Sequence, residues 1–289
     1  MEDVTMTVPQ MKTVKGDGVH INLAVWEGQQ KNILCVHGIT ANCRSWDMLA
    51  RSLAPDFNVM AMDLRGRGMS EKPDSGYAID YHIRDILALL DDLGIERVVL
   101  IGHSLGAFIS LVFAAEHPGR VERLILVDGA GDLSQEQLDQ VFAGIKPAFD
   151  RLDQVFPSKA AYMEKMKSAP YLQPWNDTVD TYYDHEIEST EGGVKTNINL
   201  AHIVEEAANV RTVKCRTFYP KLQCKTLILK ATEGLMSRDD LLLPEDVVET
   251  MMREIPDAIR FDVAGTNHYG IVFQPHAKRD QAIRQFLAD

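Results

Sequence analysis

Short unbroken apolar runs alternate along this chain with stretches whose apolar residues recur every three or four positions. The runs are Asn32–Val36, Asn58–Met62, residues 98–101, Val121–Val127 and residues 226–229. Unbroken runs of this length predict strands buried on both faces, as in a parallel sheet. Between them, Ile79, Ile83, Ile86, Leu87, Leu90 and Leu93 keep helical spacing, and Gly94 supplies the stop. Helices are also predicted over 45–53, 244–255, with Pro244 in the first turn, and 274–287. Ala258–Val263 alternates as a strand, and 265–270 is a loop. At the start, 7–28 predicts a hairpin turning at Gly16-Asp17-Gly18. Strands alternating with helices imply a mostly parallel sheet with helices on both faces.

The pattern breaks at about Asp132. From there to Leu222 strand periodicity is absent, and the segment is helical and polar with scattered aromatics and methionines. We divide the chain into a core domain, 1–131 plus 223–289, and an inserted helical lid, 132–222. An insertion between two core strands lies over the carboxyl ends of the strands, where open parallel sheets bind ligands. Most of its aromatics should pack a small core of their own. Lys195, Arg211, Lys214 and Arg216 are candidates to anchor a carboxylate, set against solvated roles for each.

The sharpest local feature is Gly102-His103-Ser104-Leu105-Gly106-Ala107. An apolar strand ends in a glycine, and an apolar helix begins after Ser104. This fits the G-x-S-x-G turn that presents a nucleophilic serine. Ser104 would sit in strained backbone, with its neighbours two places away too close together to carry side chains. The following helix would aim its N-terminal N–H groups at an oxyanion beside the serine.

Composition bounds the alternatives. The 289 residues carry a net charge of -12, which argues against nucleic acid or an anionic membrane surface as partner. The four cysteines, Cys35, Cys43, Cys215 and Cys224, show no zinc-ligand spacing. No metal and no cofactor is expected. With no basic-then-apolar leader and no membrane-length apolar run, a cytoplasmic protein is expected, monomeric or a small homo-oligomer, acting on a small-molecule substrate. Arg65-Gly-Arg-Gly lacks the spacing of a phosphate loop, so its arginines should bind nearby carbonyls or carboxylates.

His37-Gly38-Ile39-Thr40, Asp63-Leu64-Arg65-Gly66-Arg67-Gly68-Met69-Ser70, the Ser104 turn and a late Asn267-His268 occur in this order. With these motifs the chain resembles the α/β-hydrolase superfamily over almost its whole length. The resemblance implies an α/β-hydrolase fold: a mostly parallel eight-stranded sheet flanked by helices, with an inserted helical lid. It implies Ser104 as nucleophile, His268 as base, and the N–H groups of Ile39 and Leu105 as oxyanion hole. The acid that orients His268 has two candidates. Many relatives place it after the strand that here ends at Leu229-Lys230, near Glu233; Asp239 and Asp240 lie deeper in that loop. Others place it just before the lid, here Asp128, and this arrangement is similar to formylmaleamate and acetamidomethylenesuccinate hydrolases. Asp128 is preferred, because the later site lacks a well-placed aspartate.

The activity expected is serine hydrolysis of a carboxylic ester or amide through an acyl-enzyme. A carbon–carbon bond hydrolase of ring-cleavage products uses the same triad. A slow-turnover hydrolase-like receptor is an alternative of another class. Aspartate-nucleophile relatives are disfavoured by Ser104, and cofactor-free dioxygenases and perhydrolases share the fold.

Overall fold

The computed structural model describes residues 8–235 and 240–288. β1 (Gln10–Lys15) and β2 (His20–Trp26) form an antiparallel hairpin, and β2 pairs antiparallel with β4 (Asn58–Met62). The remaining pairings are parallel. β3 (Asn32–Val36) lies between β4 and β5 (Val98–His103), and β6 (Val121–Val127) follows β5. Two later strands, described below as β9 (Lys225–Ala231) and β10 (Ala258–Val263), complete an eight-stranded sheet.

Alternation along each buried strand feeds two separate cores. Leu34, Val36, Leu100, Leu124, Leu126 and Ile228 face one way. There they pack with α2 (Ile79–Asp92), α3 (Leu105–Glu116) and α9 (Glu245–Glu254). Ile33, Cys35, Val99, Ile101, Ile125 and Leu229 face the other way, toward α1 (Asp47–Leu53) and α11 (Ala277–Ala288). Both faces are dry, so the strands read as unbroken apolar runs.

Between β6 and β9 the chain leaves the sheet. This insert holds α4 (Gln135–Gly144), α5 (Lys146–Asp150), α6 (Lys159–Lys167), α7 (Asp177–His185) and α8 (Leu200–Val210). It also holds a hairpin that the periodicity does not reveal, β7 (Ile187–Thr190) with β8 (Gly193–Thr196). Each strand is four residues long and carries a single large apolar residue, Ile187 or Val194, too little to register as alternation. The turn uses Gly192 and Gly193 at positive φ, and a Cβ on Gly193 would collide with the Phe156 carbonyl.

The insert is fastened to loops that follow core strands. Asn42 Nδ2 donates to the Tyr182 carbonyl at 3.1 Å, His185 Nε2 meets Asp63 at 3.0 Å, and Asn267 Nδ2 donates to Tyr171 at 3.0 Å. Glu206 of α8 lies buried against Arg67 and His82. The last helical region is split: α10 (Gly270–Phe273) directly follows the His268 loop, and α11 starts at Ala277. Among the described residues no helix is long and apolar enough to cross a membrane.

Candidate active site

Ser104 occupies the tip between β5 and α3 with φ 54° and ψ −120°, a conformation that L-residues avoid. The surrounding glycines explain how the chain tolerates it. A Cβ on Gly102 would collide with the Gly106 carbonyl, and one on Gly106 with the carbonyl of Val36. A Cβ on Gly38 would stand 3.7 Å from Ser104 Oγ, so the end of β3 passes directly beside the serine.

Asp128, at the tip of β6, also takes positive φ (43°). Its N–H donates to the Leu229 carbonyl at 2.8 Å, and its Oδ1 accepts from the Ala231 N–H at 3.1 Å. Those two bonds aim Oδ2 at His268 Nδ1, 2.8 Å away, with both side chains nearly buried. The carboxylate that meets His268 is therefore that of Asp128. Glu233 is exposed, with its N–H bonded to the Thr266 carbonyl at 3.0 Å. Asp239 lies outside the described residues.

The His268 loop is held from two sides. Asn267 Oδ1 accepts the N–H groups of Tyr269 (3.1 Å) and Gly270 (2.7 Å). His103 Nε2 lies 2.9 Å from the His268 carbonyl and donates to it. Burial, and then the nearby His268, pushes the His103 pKa well below its ordinary value. His103 is thus a neutral ring fixed in the Nε2–H tautomer.

The 38–41 loop is braced by its carbonyls. His37 Nδ1 donates to Gly38 at 2.7 Å, and Arg67 Nε donates to Ile39 at 3.0 Å. The Thr40 carbonyl accepts from Tyr182 Oη and Arg151 Nη2, each at 3.2 Å. Arg151 is gripped by Glu186 through two bonds of 3.1 and 3.0 Å, and Tyr162 Oη also meets Glu186. Within the loop the Ala41 N–H donates to the Gly38 carbonyl at 3.1 Å. The Ile39 and Leu105 N–H groups have no acceptor among the described residues, though both residues are buried. Unpaired buried N–H groups are rare in folded chains.

Ser104, His268, Gly38, Thr40, Tyr182 and Tyr269 line one hollow. A second also reaches Ser104. Of the insert's aromatics, Tyr182 and Phe142 border these hollows. Tyr162 and Tyr183 pack within the insert. The four anchor candidates line neither hollow: Lys195 pairs with Glu188, Arg211 with Asp139 and Arg216 with Glu254, while Lys214 is exposed. Arg65 clasps Asp85 at 2.6 and 2.7 Å.

One group among the described residues has ligand atoms close enough for a metal ion: Cys43, Asp63 and His185, within 4.8 Å of one another. Asp63 Oδ2 already accepts from Asn22 (2.7 Å), Met69 (2.9 Å) and His185 (3.0 Å), and Oδ1 from the Cys43 N–H (2.7 Å). Burial alone would raise the Asp63 carboxyl, but His185 and these donors hold it well below the usual range. The set is saturated as a hydrogen-bonded tie between insert and core.

Sequence comparison agrees with this architecture. The alpha/beta hydrolase fold family model matches residues 31–275, and the chain belongs to the α/β-hydrolase family of enzymes. An uncharacterized protein of Mycobacterium bovis is 38% identical over 131 residues, which is 45% of this chain. That match spans only 38% of the mycobacterial protein's length. The 2-(acetamidomethylene)succinate hydrolase of Mesorhizobium japonicum is 26% identical over 84% of this chain and 83% of its own. The crystal structure of an E-2-(acetamidomethylene)succinate hydrolase superposes with a TM-score of 0.86 at 24% identity, covering 97% of this chain and all of the other. At that identity the likeness speaks for the fold.

Proposed function

We propose that this chain is a serine hydrolase that cleaves a carboxylic ester or amide of a small molecule through an acyl-enzyme. The observation that carries the reading is the Asp128–His268 hydrogen bond of 2.8 Å, beside a hollow that His268 shares with Ser104. Asp128 holds the proton on Nδ1, which leaves Nε2 free to take the Ser104 proton. Ser104 Oγ attacks the carbonyl carbon, and the oxyanion forms between the Ile39 and Leu105 N–H groups. His268 then passes its proton to the leaving oxygen or nitrogen. A water molecule, activated by the same imidazole, releases the acid and restores Ser104. The 132–222 insert acts as the lid that selects the substrate, since Tyr182, Ile145 and Phe142 border the hollows.

The test is covalent labelling with a fluorophosphonate, with peptide mapping and turnover of p-nitrophenyl esters alongside. Labelling of Ser104, lost in Ser104→Ala together with turnover, is expected. A folded Ser104→Ala variant that keeps most of its esterase rate would overturn the reading.

A further inference from the structure

We propose that the acyl half of the substrate is uncharged and apolar, and that it occupies the hollow walled by Phe108, Leu138, Val141, Phe142, Val210 and Leu242. This rests on the serine-hydrolase reading above and narrows it to a substrate class.

Two hollows meet at Ser104, and the chemistry assigns their contents. His268 must hand its proton to the leaving atom, so the leaving group lies on the His268 side. That is the hollow bordered by His268, Tyr269 and Tyr182. The acyl carbon is bonded to Ser104 Oγ, and its substituent must point elsewhere. The second hollow is bordered by Ser104 and Leu105 but not by His268. It therefore takes the acyl substituent.

Its wall decides the class. The side chains named above are all hydrocarbon, and most belong to the insert or to α3. Among the described residues, no lysine, arginine, aspartate or glutamate borders either hollow. The insert's buried cation, Arg151, is already matched to Glu186 and the Thr40 carbonyl. Arg211 stacks on the Phe142 ring at 4.2 Å but pairs with Asp139 and does not border the hollow. A carboxylate carried into this space would lose its hydration without gaining a counter-charge from any described residue. An alkyl or aryl group would instead gain from every methylene removed from water.

The experiment uses the full chain and p-nitrophenyl esters of acetate, butanoate, pentanoate and hexanoate, with the hemiglutarate as the charged analogue. Fluorophosphonate labelling of Ser104 is run on the same preparation. We expect kcat/KM to climb about fourfold per added methylene up to butanoate or beyond. The hemiglutarate should fall about a hundredfold or more below pentanoate. Val141→Phe, with Leu138→Phe as a second variant, should move the best chain to a shorter one. Labelled enzyme with a flat series, with a preference for hemiglutarate, or with an unmoved optimum in a folded variant overturns the acyl assignment and leaves the hydrolase reading standing. Absence of both label and turnover overturns the two together.

Discussion

His103, the residue just before Ser104, donates its Nε2 proton to the backbone carbonyl of His268 at 2.9 Å, with the two rings 4.4 Å apart. One side chain thus sets the spacing between the loop that carries the serine and the loop that carries the imidazole. His103→Phe keeps the ring volume but removes the donor. It should lower kcat by about a hundredfold, the scale of an ångström's misplacement, with little change in KM. His103→Gln, which retains an N–H donor, should recover part of the rate. Equal rates for the two variants would show that the bond does not position His268.

The Asp128 carboxylate should be the one on which the rate depends. Asp128→Asn leaves the shape but loses the charge and the tautomer control, and a loss of about 10⁴ in kcat is expected. Glu233→Gln should keep most of the wild-type rate, because Glu233 is exposed and its carboxylate does not meet His268. Steady-state rates on one ester, with circular dichroism as the fold check, decide between the two. The reverse pattern would move the acid to Glu233.

The Arg151–Glu186 pair ties the insert to the Thr40 carbonyl, one residue beyond Ile39. Glu186→Gln strips a buried guanidinium of its counter-charge. Breaking a buried pair by removing one partner costs about 3–5 kcal/mol. Urea unfolding should show a loss on that scale, and kcat should fall with it. A variant as stable and as fast as the wild type would dismiss the brace.

Stability should decline in mild acid. His37 Nδ1 donates to the Gly38 carbonyl, while its Nε2 accepts the Leu64 N–H at 3.0 Å, so a second ring proton would face a donor. Burial lowers its pKa to about 4 from the ordinary 6.5. Between those values the unfolded chain binds more protons than the folded one, so stability rises with pH across the window and is lost as pH falls through it. From this residue alone, about 2 kcal/mol should disappear between pH 7 and pH 5. His103 and His82, also pushed below the ordinary value by burial, act in the same direction. Urea midpoints at the two pH values measure the loss, and a flat profile would contradict it.

The sequence by itself determined the strands of the eight-stranded sheet, the order of the core helices and the place of Ser104. Each depends on forces that act between near neighbours. A strand covered on both faces must be apolar throughout, so Asn32–Val36, Asn58–Met62 and Val121–Val127 could be read to the residue. The Ser104 turn needs Gly102 because the Gly106 carbonyl crowds it from four residues on, a local constraint, whereas Gly106 is crowded by the Val36 carbonyl that the fold brings beside it. The β7–β8 hairpin escaped because two short strands on a polar insert carry almost no period, although Glu191-Gly192-Gly193 does mark its turn.

Only the tertiary structure decided which side chains meet across the sheet. Asp128 and His268 are 140 positions apart, and Arg151 reaches Thr40 across 111. No local propensity encodes such a distance. Glu233 and Asp128 both follow parallel strands, and spacing alone left both open. What separates them is direction: the positive φ of Asp128 and its bonds to Leu229 and Ala231 turn its carboxylate to the imidazole. Arg67 was expected to bind a nearby carbonyl or carboxylate, but only the fold brings Glu206 to it, and Arg151 reads as an ordinary polar residue until burial leaves its charge answerable to Glu186. A buried charge needs a partner at a particular point in space, and that point exists only once the insert has folded onto the core.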